Sequence, residues 1–420
     1  MSTTTIERLN PFIPEVISNP YPVYRRYREQ DPVHWGISSN PNLPGAWYIF
    51  RYEDVIKVME DRRFGREHVK REDLETTPVP TIYHTFLTMI SKWIVFREPP
   101  DHTRLKSLVS KAFTLKIVEN LRPAIWQIAD SLLDQVHVCS EMDLLDEYAY
   151  PLPIMVIAMM LGANPQDHPL FRRWAFALQN ASASRLKPPP EIYEQAETAS
   201  QEFLDYFQPI IADRRANPQE DLISNLVKAA DEGDKLSDEE IVATCTHLLT
   251  AGHETTVNLI AKGTLALLRN PEAYKLLRSH PELMPNAVEE IIRYDTPIQM
   301  ITRWAYADIE IGGQLIKRGD SVGIMLGSAN RDPSRFQNPD IFDIQREDTK
   351  HCGFGGGIHY CLGANLSRAE GQIALNVLLN RLPELRLVNE TIEWANNMIF
   401  HGPKHLPVAF RKPKPVMNEG

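Results

Sequence analysis

The stretch of sequence that decides the fold is residues 351–370, which read HCGFGGGIHYCLGANLSRAE. Four glycines lie in the nine positions before Cys361, and a helical pattern begins at about Leu362. Because glycine has no Cβ, such a turn lets the backbone approach a flat ligand closely and aim amide hydrogens at one sulfur. The positive end of the following helix favours a thiolate. The pattern therefore predicts that Cys361 is a metal ligand or a nucleophile.

Two other chemistries fit this loop less well. Zinc is one of them, because four potential ligands lie close together in the sequence: His351, Cys352, His359 and Cys361. The loop contains no Cys-x-x-Cys pair, however, and so many glycines do not suit a compact tetrahedral site. A catalytic cysteine is the other, but it requires a partner base and an oxyanion site, to which no other motif points.

A long helix is predicted upstream, over residues 237–270. Ser237 and Glu240 form a capping box at its start, and Asn270-Pro271 ends it. Its ~32 residues span ~48 Å at 1.5 Å per residue. The segment is apolar nearly all round, which is typical of a central, buried helix.

The middle of this helix, residues 251–256, reads AGHETT and contains poor helix formers. One interpretation is a packing kink, since a threonine hydroxyl can bond back to the carbonyl four residues earlier and bend the axis. The functional interpretation is a groove beside a bound group, in which Glu254 and Thr255 relay protons as an acid and an alcohol. The helix by itself leaves both interpretations open.

The composition indicates a folded, soluble protein with a large core, because 43% of the 420 residues are hydrophobic and 24% are charged. A net charge of −10 provides no overall basic surface for DNA or RNA. The 32 prolines are spread along the chain, which indicates many helices ended by turns rather than two units joined by a linker.

The cellular compartment is also suggested by the sequence. Four cysteines are too few for a disulfide framework and favour a reducing compartment, the cytoplasm. Residues 1–10 lack the basic start and apolar core of a signal peptide. The longest apolar run, residues 151–163, is shorter than the ~20 residues that span a bilayer. We therefore expect no membrane anchor.

Local patterns predict a few further elements. A strand pair is expected at residues 32–35 and 46–50, and a helix at 52–61. Helices are expected to dominate residues 103–235, with breaks at Pro123, 151–153 and 188–190; strands return at 304–311 and 322–325. Residues 181–190 are expected to form a mobile loop, and 66–83 a flexible lid.

Residues 354–363, FGGGIHYCLG, resemble the haem-binding signature of the cytochrome P450 superfamily, the haem-thiolate monooxygenases. Three other segments resemble motifs of that family: Glu290-Ile-Ile-Arg293, Phe342-Asp-Ile-Gln-Arg346, and the oxygen-binding stretch at 251–256. The resemblance runs from about Asn10 to Arg411 and is closest to the soluble bacterial branch.

The resemblance implies a mainly α fold with small β-sheets (α+β), the cytochrome P450 fold. A single large domain, residues 1–420, is expected to hold a long central helix over a buried haem. Residues 10–411 are expected to form the ordered core, and residues 1–9 and 412–420 to be frayed.

The same resemblance assigns the site residues. Cys361 would be the proximal ligand of haem b, shielded by Phe354, while Thr255 and Glu254 would deliver protons to the oxygen site. The positive groups for the haem propionates are assigned to His102, Arg303 and His351. Lys106 stands where the family commonly has an arginine, and it keeps the charge but loses the bidentate fork. The other residues expected at the cofactor are Gly355, His359, Gly363 and Ala251.

Several residues are assigned structural roles. A buried ionic network that performs no chemistry is expected from three of them: Glu290, Arg293 and Arg346. Packing roles are expected for the remaining cysteines and two histidines of the central helix: Cys139, Cys245, Cys352, His247 and His253.

The resemblance also implies a mainly apolar substrate pocket, which fits a lipophilic small molecule. Its expected residues are Trp93, Leu248, Ala251, Ile298, Met300, Ile301, Ile399 and Phe400. The implied reaction inserts one oxygen atom of O2 into the substrate by hydroxylation or epoxidation. We expect a polyketide, macrolide or terpenoid of secondary metabolism.

We expect no fused flavin or iron–sulfur module, so the resemblance implies a ferredoxin or flavodoxin and its NAD(P)H reductase as the electron donors. A local basic patch for such acidic carriers is predicted from Lys106, Lys111, Lys116, Arg346 and Lys350, although these could be ordinary solvated side chains. Two alternatives stay open. One is a fatty-acid or xenobiotic hydroxylase or peroxygenase, and the other is a haem-based sensor or binding protein without turnover.

Overall fold

The computed structural model describes residues 6–40, 42–68, 81–134, 136, 140–182, 189–231 and 236–411. Within them, α-helices predominate: α1 Pro14–Ser18, α2 Pro20–Gln30, α3 Tyr52–Glu60, α4 His84–Ser91, α5 Asp101–Ser110, α6 Leu115–Asp134, α7 Pro151–Leu161, α8 His168–Ser182, α9 Pro190–Ala216, α10 Leu222–Ala229, α11 Asp238–Arg269, α12 Pro271–Ser279, α13 Met284–Tyr294, α14 Leu326–Ala329 and α15 Ala364–Arg381. The strands are short: β1 Val33–Gly36, β2 Ala46–Ile49, β3 Phe64–Gly65, β4 Glu141–Asp143, β5 Ile301–Ala305, β6 Ile309–Ile311, β7 Gln314–Ile316, β8 Ser321–Ile324, β9 Arg386–Leu387 and β10 Pro407–Ala409.

The strands form small sheets beside the helices. The largest has the order β1-β2-β8-β5-β3, and the others are β4-β10-β9 and the hairpin β6-β7. β2 and β8 run parallel, whereas the other pairs in the largest sheet are antiparallel. The predicted strand pair at the start of the chain is confirmed, as is the mainly α fold with small β-sheets.

α11 forms the centre of the helical part, as predicted from its length and apolar sequence, and it begins at the predicted capping box. The Ser237 hydroxyl accepts a hydrogen bond from the Glu240 amide at 3.1 Å, and the Glu240 carboxylate accepts one from the Ser237 amide at 3.0 Å. The helix continues for 32 residues and packs against α7, α8, α9, α13 and α15. Most of its length is therefore surrounded by protein on every side, which stabilises it through burial of apolar area.

Two predictions about local structure were wrong. The expected break at Pro123 does not occur, because α6 continues through it while packing along α15, and this tertiary contact outweighs the lost backbone hydrogen bond. The expected strand at residues 304–311 is two strands, since β5 ends at Ala305 and β6 begins at Ile309.

The ordered part of the chain begins before residue 10. Leu9 is buried, and its amide donates to Nε2 of His34 at 3.0 Å. Residues 1–5 and 412–420 lie outside the described residues, as do residues 183–188 of the expected mobile loop and 69–80 of the expected lid. That the whole chain is one domain stays a prediction.

Among the helices described here, none is both long enough and apolar enough to cross a bilayer.

Candidate functional site

The glycine-rich loop before α15 is held in a conformation that requires glycine. Gly355 and Gly357 have φ angles of 72° and 62°, in a region that residues other than glycine rarely adopt. A Cβ on Gly357 would also lie 2.4 Å from the carbonyl oxygen of Met59. The loop closes on itself where the Cys361 amide donates to the Phe354 carbonyl at 3.0 Å. Cys361 is therefore fixed three residues ahead of α15.

Cys361 borders an open gap beside Gly363. The residue is exposed, and a Cβ added at Gly363 would meet no atom within 4 Å. Burial nevertheless raises the pKa of the Cys361 thiol, while the Gly363 amide, Lys106 and Arg368 lower that pKa. The protein groups around Cys361 therefore do not lower its pKa enough to give the predicted thiolate. A coordinated metal ion would do so, because it deprotonates a ligating thiol.

Two cations brace the loop around this cysteine. The Lys106 ammonium donates to the carbonyls of Ile358 at 2.5 Å and Tyr360 at 3.0 Å, so its observed partners are the loop itself. The Arg368 guanidinium lies 4.5 Å from the ring centroid of Phe354 and forms a bidentate pair with Glu289 at 2.6 and 3.0 Å. Both contacts hold the loop and place positive charge near the sulfur.

A pair of arginines lies at the pairing of β3 with β5, where Arg303 is buried and Arg66 is half-buried. β3 and β5 pair, which brings Arg66 beside Arg303, and Nη1 of Arg66 donates to the Thr302 carbonyl at 2.7 Å. Burial lowers the pKa of Arg66 to about 9 and that of Arg303 to about 10; Arg303 lowers the Arg66 pKa further, and Glu98 raises both. Two neighbouring guanidinium groups, with Glu98 as the carboxylate that raises both pKa values, leave positive charge that favours a further anion.

Two histidines, both with lowered pKa values, lie beside the arginines and complete the cluster. The rings of His102 and His359 lie 4.5 Å apart, and Nε2 of His359 lies 3.0 Å from Oε1 of Glu98. Burial lowers the pKa of His102 to about 4, with contributions from His359 and Lys106. His102 is therefore neutral at pH 7 and would act as a hydrogen-bond donor. The positive charge that the sequence analysis assigned to His102 is supplied by Arg66 and Arg303 instead.

His351 does not join this cluster. Its Nδ1 accepts the Gly353 amide at 3.1 Å, and its Nε2 lies 3.2 Å from Glu289. The structure therefore brings His359, rather than His351, next to His102 and Glu98. The resemblance assigns a propionate to His351 and gives His359 only as a further residue at the cofactor, whereas the structure places His359 beside His102.

The central helix is open where the sequence is unusual. Ala251 is exposed between fully buried segments of α11, and the Thr255 hydroxyl donates to the Ala251 carbonyl at 2.9 Å. A Cβ on Gly252 would lie 3.2 Å from Cδ1 of Ile157, so this glycine permits the close packing of α7. Gly252 therefore has the packing role that was one interpretation of this segment. The exposed side at Ala251 and Thr255 fits the other interpretation, a groove beside a bound group.

Glu254 lines a cleft of about 320 Å³ on another side of the same helix. Tyr150, Arg172, Gln179 and His253 share its lining. Nε2 of His253 and both amide atoms of Gln179 are buried and have no hydrogen-bond partner among the described residues. Polar atoms of this kind are suited to bind water. The cleft therefore connects the Glu254 carboxylate with a polar, hydratable space.

The residues expected in the substrate pocket lie in two groups. Trp93 is buried against α11, where it stacks on His247 at a centroid distance of 5.3 Å, and Leu248 is buried one position farther along the helix. Ile298 and Phe400 are joined by an isolated antiparallel bridge. Both groups present mainly apolar side chains.

The other expected pocket residues surround that bridge. Ile301 begins β5, and the Ile399 carbonyl accepts the Gln299 amide at 3.2 Å. Met300 is buried in a cluster with Met325 and Met398, together with residues of the N-terminal helices. Met300 therefore packs behind the bridge, on the side of the N-terminal helices.

The contacts of the predicted ionic network are present; Glu290 and Arg293 are fully buried, and the Arg346 side chain is 10% exposed. Arg293 binds the Glu290 carboxylate through Nε at 2.6 Å and Nη2 at 2.8 Å, and Nε of Arg346 lies 3.1 Å from the same carboxylate. Arg293 also donates to the carbonyls of Asn330 and Pro339. These contacts tie α13 to the segment that precedes the cysteine loop.

The remaining described cysteines and the two helix histidines are enclosed. Burial raises the pKa of Cys352 to about 12 and raises that of Cys245 further. Burial lowers the pKa of His247 to about 4 and that of His253 to about 3. Cys139 lies outside the described residues.

Sequence reasoning missed Arg66 and Glu98. Arg66 was interpreted as the start of a charged lid, and Glu98 lies in a loop with no periodic pattern. Their meeting depends on the pairing of β3 with β5, which involves only two residues of β3 and gives no signal in the sequence.

Comparison with known proteins yields a consistent result. A family model described as cytochrome P450 matches residues 47–390. The polyketide biosynthesis cytochrome P450 PksS of Bacillus subtilis is 40% identical over 94% of this chain and 96% of its own length. The cytochrome P450 monooxygenase PikC of Streptomyces venezuelae is 37% identical over 94% of this chain and 92% of its own. The crystal structure of P450BioI, in complex with an acyl carrier protein ligated to hexadec-9Z-enoic acid, has a TM-score of 0.86 and 37% identity, covering 94% of this chain and 99% of that one.

Proposed function

The chain belongs to the cytochrome P450 family, and on this premise we propose that Cys361 is the thiolate ligand of its haem. The family assignment makes the protein a monooxygenase with a cysteine-ligated haem. When bound, the haem activates dioxygen, and the thiolate favours cleavage of the O–O bond. Cys245 and Cys352 are buried, whereas Cys361 opens onto a gap. That exposed sulfur is the observation that carries the proposal.

The protein groups around this gap fit an anionic, flat cofactor. Arg66 and Arg303 lie side by side with the charge of Glu98 near both, which leaves net positive charge where carboxylates of the cofactor would bind. His102 and His359 add hydrogen-bond donors beside them. The open space above Gly363 suits a planar ring that approaches the backbone. We assign the propionates to Arg66, Arg303, His102 and His359.

Thr255 and Glu254 are proposed to supply protons from the opposite side. The Thr255 hydroxyl now donates to the Ala251 carbonyl, and rotation about χ1 would redirect it into the gap. Glu254 lines the hydratable cleft, so its carboxylate can exchange protons with water there. The two adjacent residues would then pass protons from the cleft to the oxygen site.

Replacing Thr255 with alanine is expected to uncouple electron consumption from product formation. We expect about tenfold less product per electron, with the excess appearing as peroxide, because the proton donor is lost. The measurement compares NAD(P)H consumed, peroxide formed and product formed. Thr264→Ala is the matched control, since that hydroxyl bonds back to Ile260 at 2.9 Å in the same manner but in the buried core. Equal coupling in the two variants would contradict the role of Thr255.

We propose a lipophilic substrate of the polyketide, macrolide or terpenoid class. Support comes from the apolar side chains around Trp93 and around the Ile298–Phe400 bridge, and from the similarity to PksS, which is named for polyketide biosynthesis. A fatty-acyl substrate is the second candidate, because the similar P450BioI structure holds a carrier-bound fatty acid. Adding members of both classes and following the spin-state shift of the haem distinguishes them. A shift with fatty acids alone would contradict the first choice.

The electron donor is proposed to be a separate acidic carrier, a ferredoxin or flavodoxin with its NAD(P)H reductase. Lys111, Lys116 and Lys350 are exposed, whereas Lys106 is bonded to the cysteine loop and Arg346 to Glu290. We therefore narrow the proposed basic patch to the three exposed lysines. A cytoplasmic location is proposed with it, supported by the low cysteine content.

Reversing charge at Lys111 and Lys116 together, with glutamate at both positions, is expected to slow reduction of the haem about tenfold at low ionic strength. The difference should shrink as salt is added, because exposed charges are screened. Stopped-flow reduction by a ferredoxin measures the rate, with dithionite reduction as the control that bypasses docking. A rate independent of both the variant and the salt concentration would contradict the proposed patch.

A further inference from the structure

A buried lysine lies in the central helix two turns beyond Thr255. The Lys262 side chain has no solvent exposure. Its ammonium lies 2.7 Å from Oδ1 of Asp295, 2.9 Å from the Thr296 carbonyl oxygen and 2.9 Å from Nδ1 of His401. An ammonium group has three N–H donors, and each has one acceptor here. Lys262 therefore joins α11 to two other segments, one that contains Asp295 and Thr296 and one that contains His401.

The His401 ring can take part in this connection in one protonation form. Its Nε2 lies 2.8 Å from the Ile17 carbonyl oxygen, which only accepts, so Nε2 carries the proton. Nδ1 then has a lone pair and accepts from Lys262. The ring also stacks on Trp394 at 4.5 Å with an interplanar angle of 15°. His401 is thus a neutral bridge that transmits the position of Lys262 to the chain around residue 401.

The two segments held by Lys262 are those that meet at the Ile298–Phe400 bridge. Thr296 lies two residues before Ile298, and His401 directly follows Phe400. The His401 amide donates to the Pro297 carbonyl at 3.0 Å, and the Gln299 amide donates to the Ile399 carbonyl at 3.2 Å. These bonds join the two segments to each other, while the Lys262 ammonium fixes both of them to α11.

We propose that Lys262 is a positioning residue that sets the distance between the central helix and the Ile298–Phe400 wall of the substrate pocket. The inference rests on the proposed function, because it takes that wall to face the ligand side of the haem. Unlike an apolar residue, the lysine forms hydrogen bonds to a carbonyl and to an imidazole on two different segments. Loss of the ammonium should therefore weaken the binding of bulky ligands that reach the wall, and leave the binding of small ligands unchanged.

Lys262→Met tests this with two azole probes whose ring nitrogen coordinates haem iron. Imidazole is small, whereas clotrimazole carries three aryl rings that the pocket walls must accommodate. We expect the imidazole dissociation constant to change less than about twofold and that of clotrimazole to rise about tenfold, a difference of about 1.4 kcal/mol. Titration of the holoprotein, followed by the shift of the Soret band, gives both constants. An equal change for the two probes, or no change for either, would overturn the inference.

Tyr21→Phe is the matched control. The Tyr21 hydroxyl donates to Oδ1 of Asp295 at 2.5 Å and accepts from Nε2 of Gln299 at 3.1 Å, so this variant removes those two bonds while leaving the three contacts of Lys262 intact. Both dissociation constants should stay within about twofold of the unmodified protein if the wall is positioned by Lys262. A clotrimazole effect in Tyr21→Phe as large as that in Lys262→Met would indicate general loss of packing and overturn the inference.

A second pair of variants decides the question if Lys262→Met does not fold. His401→Gln retains an acceptor for Lys262 and a donor for Ile17, whereas His401→Leu retains neither. The inference expects clotrimazole binding to be weakened in His401→Leu and largely restored in His401→Gln. Equal clotrimazole binding in both variants would contradict it. Absence of any imidazole-induced shift in the unmodified protein would instead overturn the haem assignment, and this inference with it.

Discussion

Replacing Cys361 with alanine is expected to abolish monooxygenase activity and to remove the thiolate signature from the spectrum of the purified protein. We propose this sulfur as the haem ligand, and alanine has no donor atom in its place. No other described cysteine could substitute, because Cys245 and Cys352 are fully buried. The measurement is the absorption spectrum of the reduced carbon monoxide complex, together with haem content per chain.

Cys352→Ala is the matched control for that variant. Cys352 lies nine positions earlier in the same stretch, and its sulfur faces Oδ1 of Asn330 at 3.1 Å. Burial raises the pKa of its thiol to about 12, so it remains a protonated packing residue. This variant should lose some stability but keep the thiolate-type spectrum. A spectrum lost in Cys352→Ala and retained in Cys361→Ala would reverse the assignment of the ligand.

Replacing Arg293 with methionine is expected to lower the free energy of unfolding by about 3–5 kcal/mol, because it leaves the Glu290 carboxylate buried without its main partner. Both side chains are fully buried, and Arg346 retains only one contact with that carboxylate, at 3.1 Å. Carbonyl oxygens of the segment before the cysteine loop lose their donors as well. We therefore expect weak haem retention in addition to a lower unfolding midpoint in urea.

Arg335→Met provides the comparison on the surface. Arg335 also forms a bidentate pair, with Asp348, but more than half of the aspartate side chain is exposed. The expected loss is about 0–1 kcal/mol, because water solvates the remaining charge. If the two variants unfolded at the same urea concentration, the buried network would not have the structural role assigned to it.

The parts of the fold that the sequence predicted are those set by local interactions. The capping box at Ser237 and Glu240 located the start of α11 within one residue, since the signal lies in four adjacent positions. The strand pair β1–β2 followed from two short alternating segments close in the chain. The continuation of α6 through Pro123 could not be predicted, because it depends on packing against α15, which is more than 200 residues away.

In the candidate site too, the residues that the sequence predicted are those marked by local sequence. Cys361 and the pair Glu254 and Thr255 lie in unusual local sequences, so each could be proposed as a site residue from its neighbours alone. The cationic cluster was only partly identified, because Arg66 and Glu98 reach it through strand pairing and a loop contact. The choice of His359 over His351 required knowing which imidazole faces Glu98 and which faces Glu289.

The sequence around Lys262 contains a signal for a buried ionic contact. Lys262 is a single charged residue within the apolar run Leu259-Ile-Ala-Lys262-Gly-Thr-Leu265, near the end of a helix expected to be buried. Lysine is almost never fully buried without a partner. The pattern therefore indicated a buried ionic contact, but its partners Asp295 and His401 could be identified only from the structure.

The most direct test of the haem-thiolate assignment is the absorption spectrum of the unmodified protein, purified with its cofactor, reduced and exposed to carbon monoxide. Coordination by Cys361 predicts the strongly red-shifted Soret band of a cysteine thiolate complex. A Soret band at the unshifted position typical of histidine-ligated haem, or a protein that binds no haem, would contradict the assignment of Cys361 and the proposed function together.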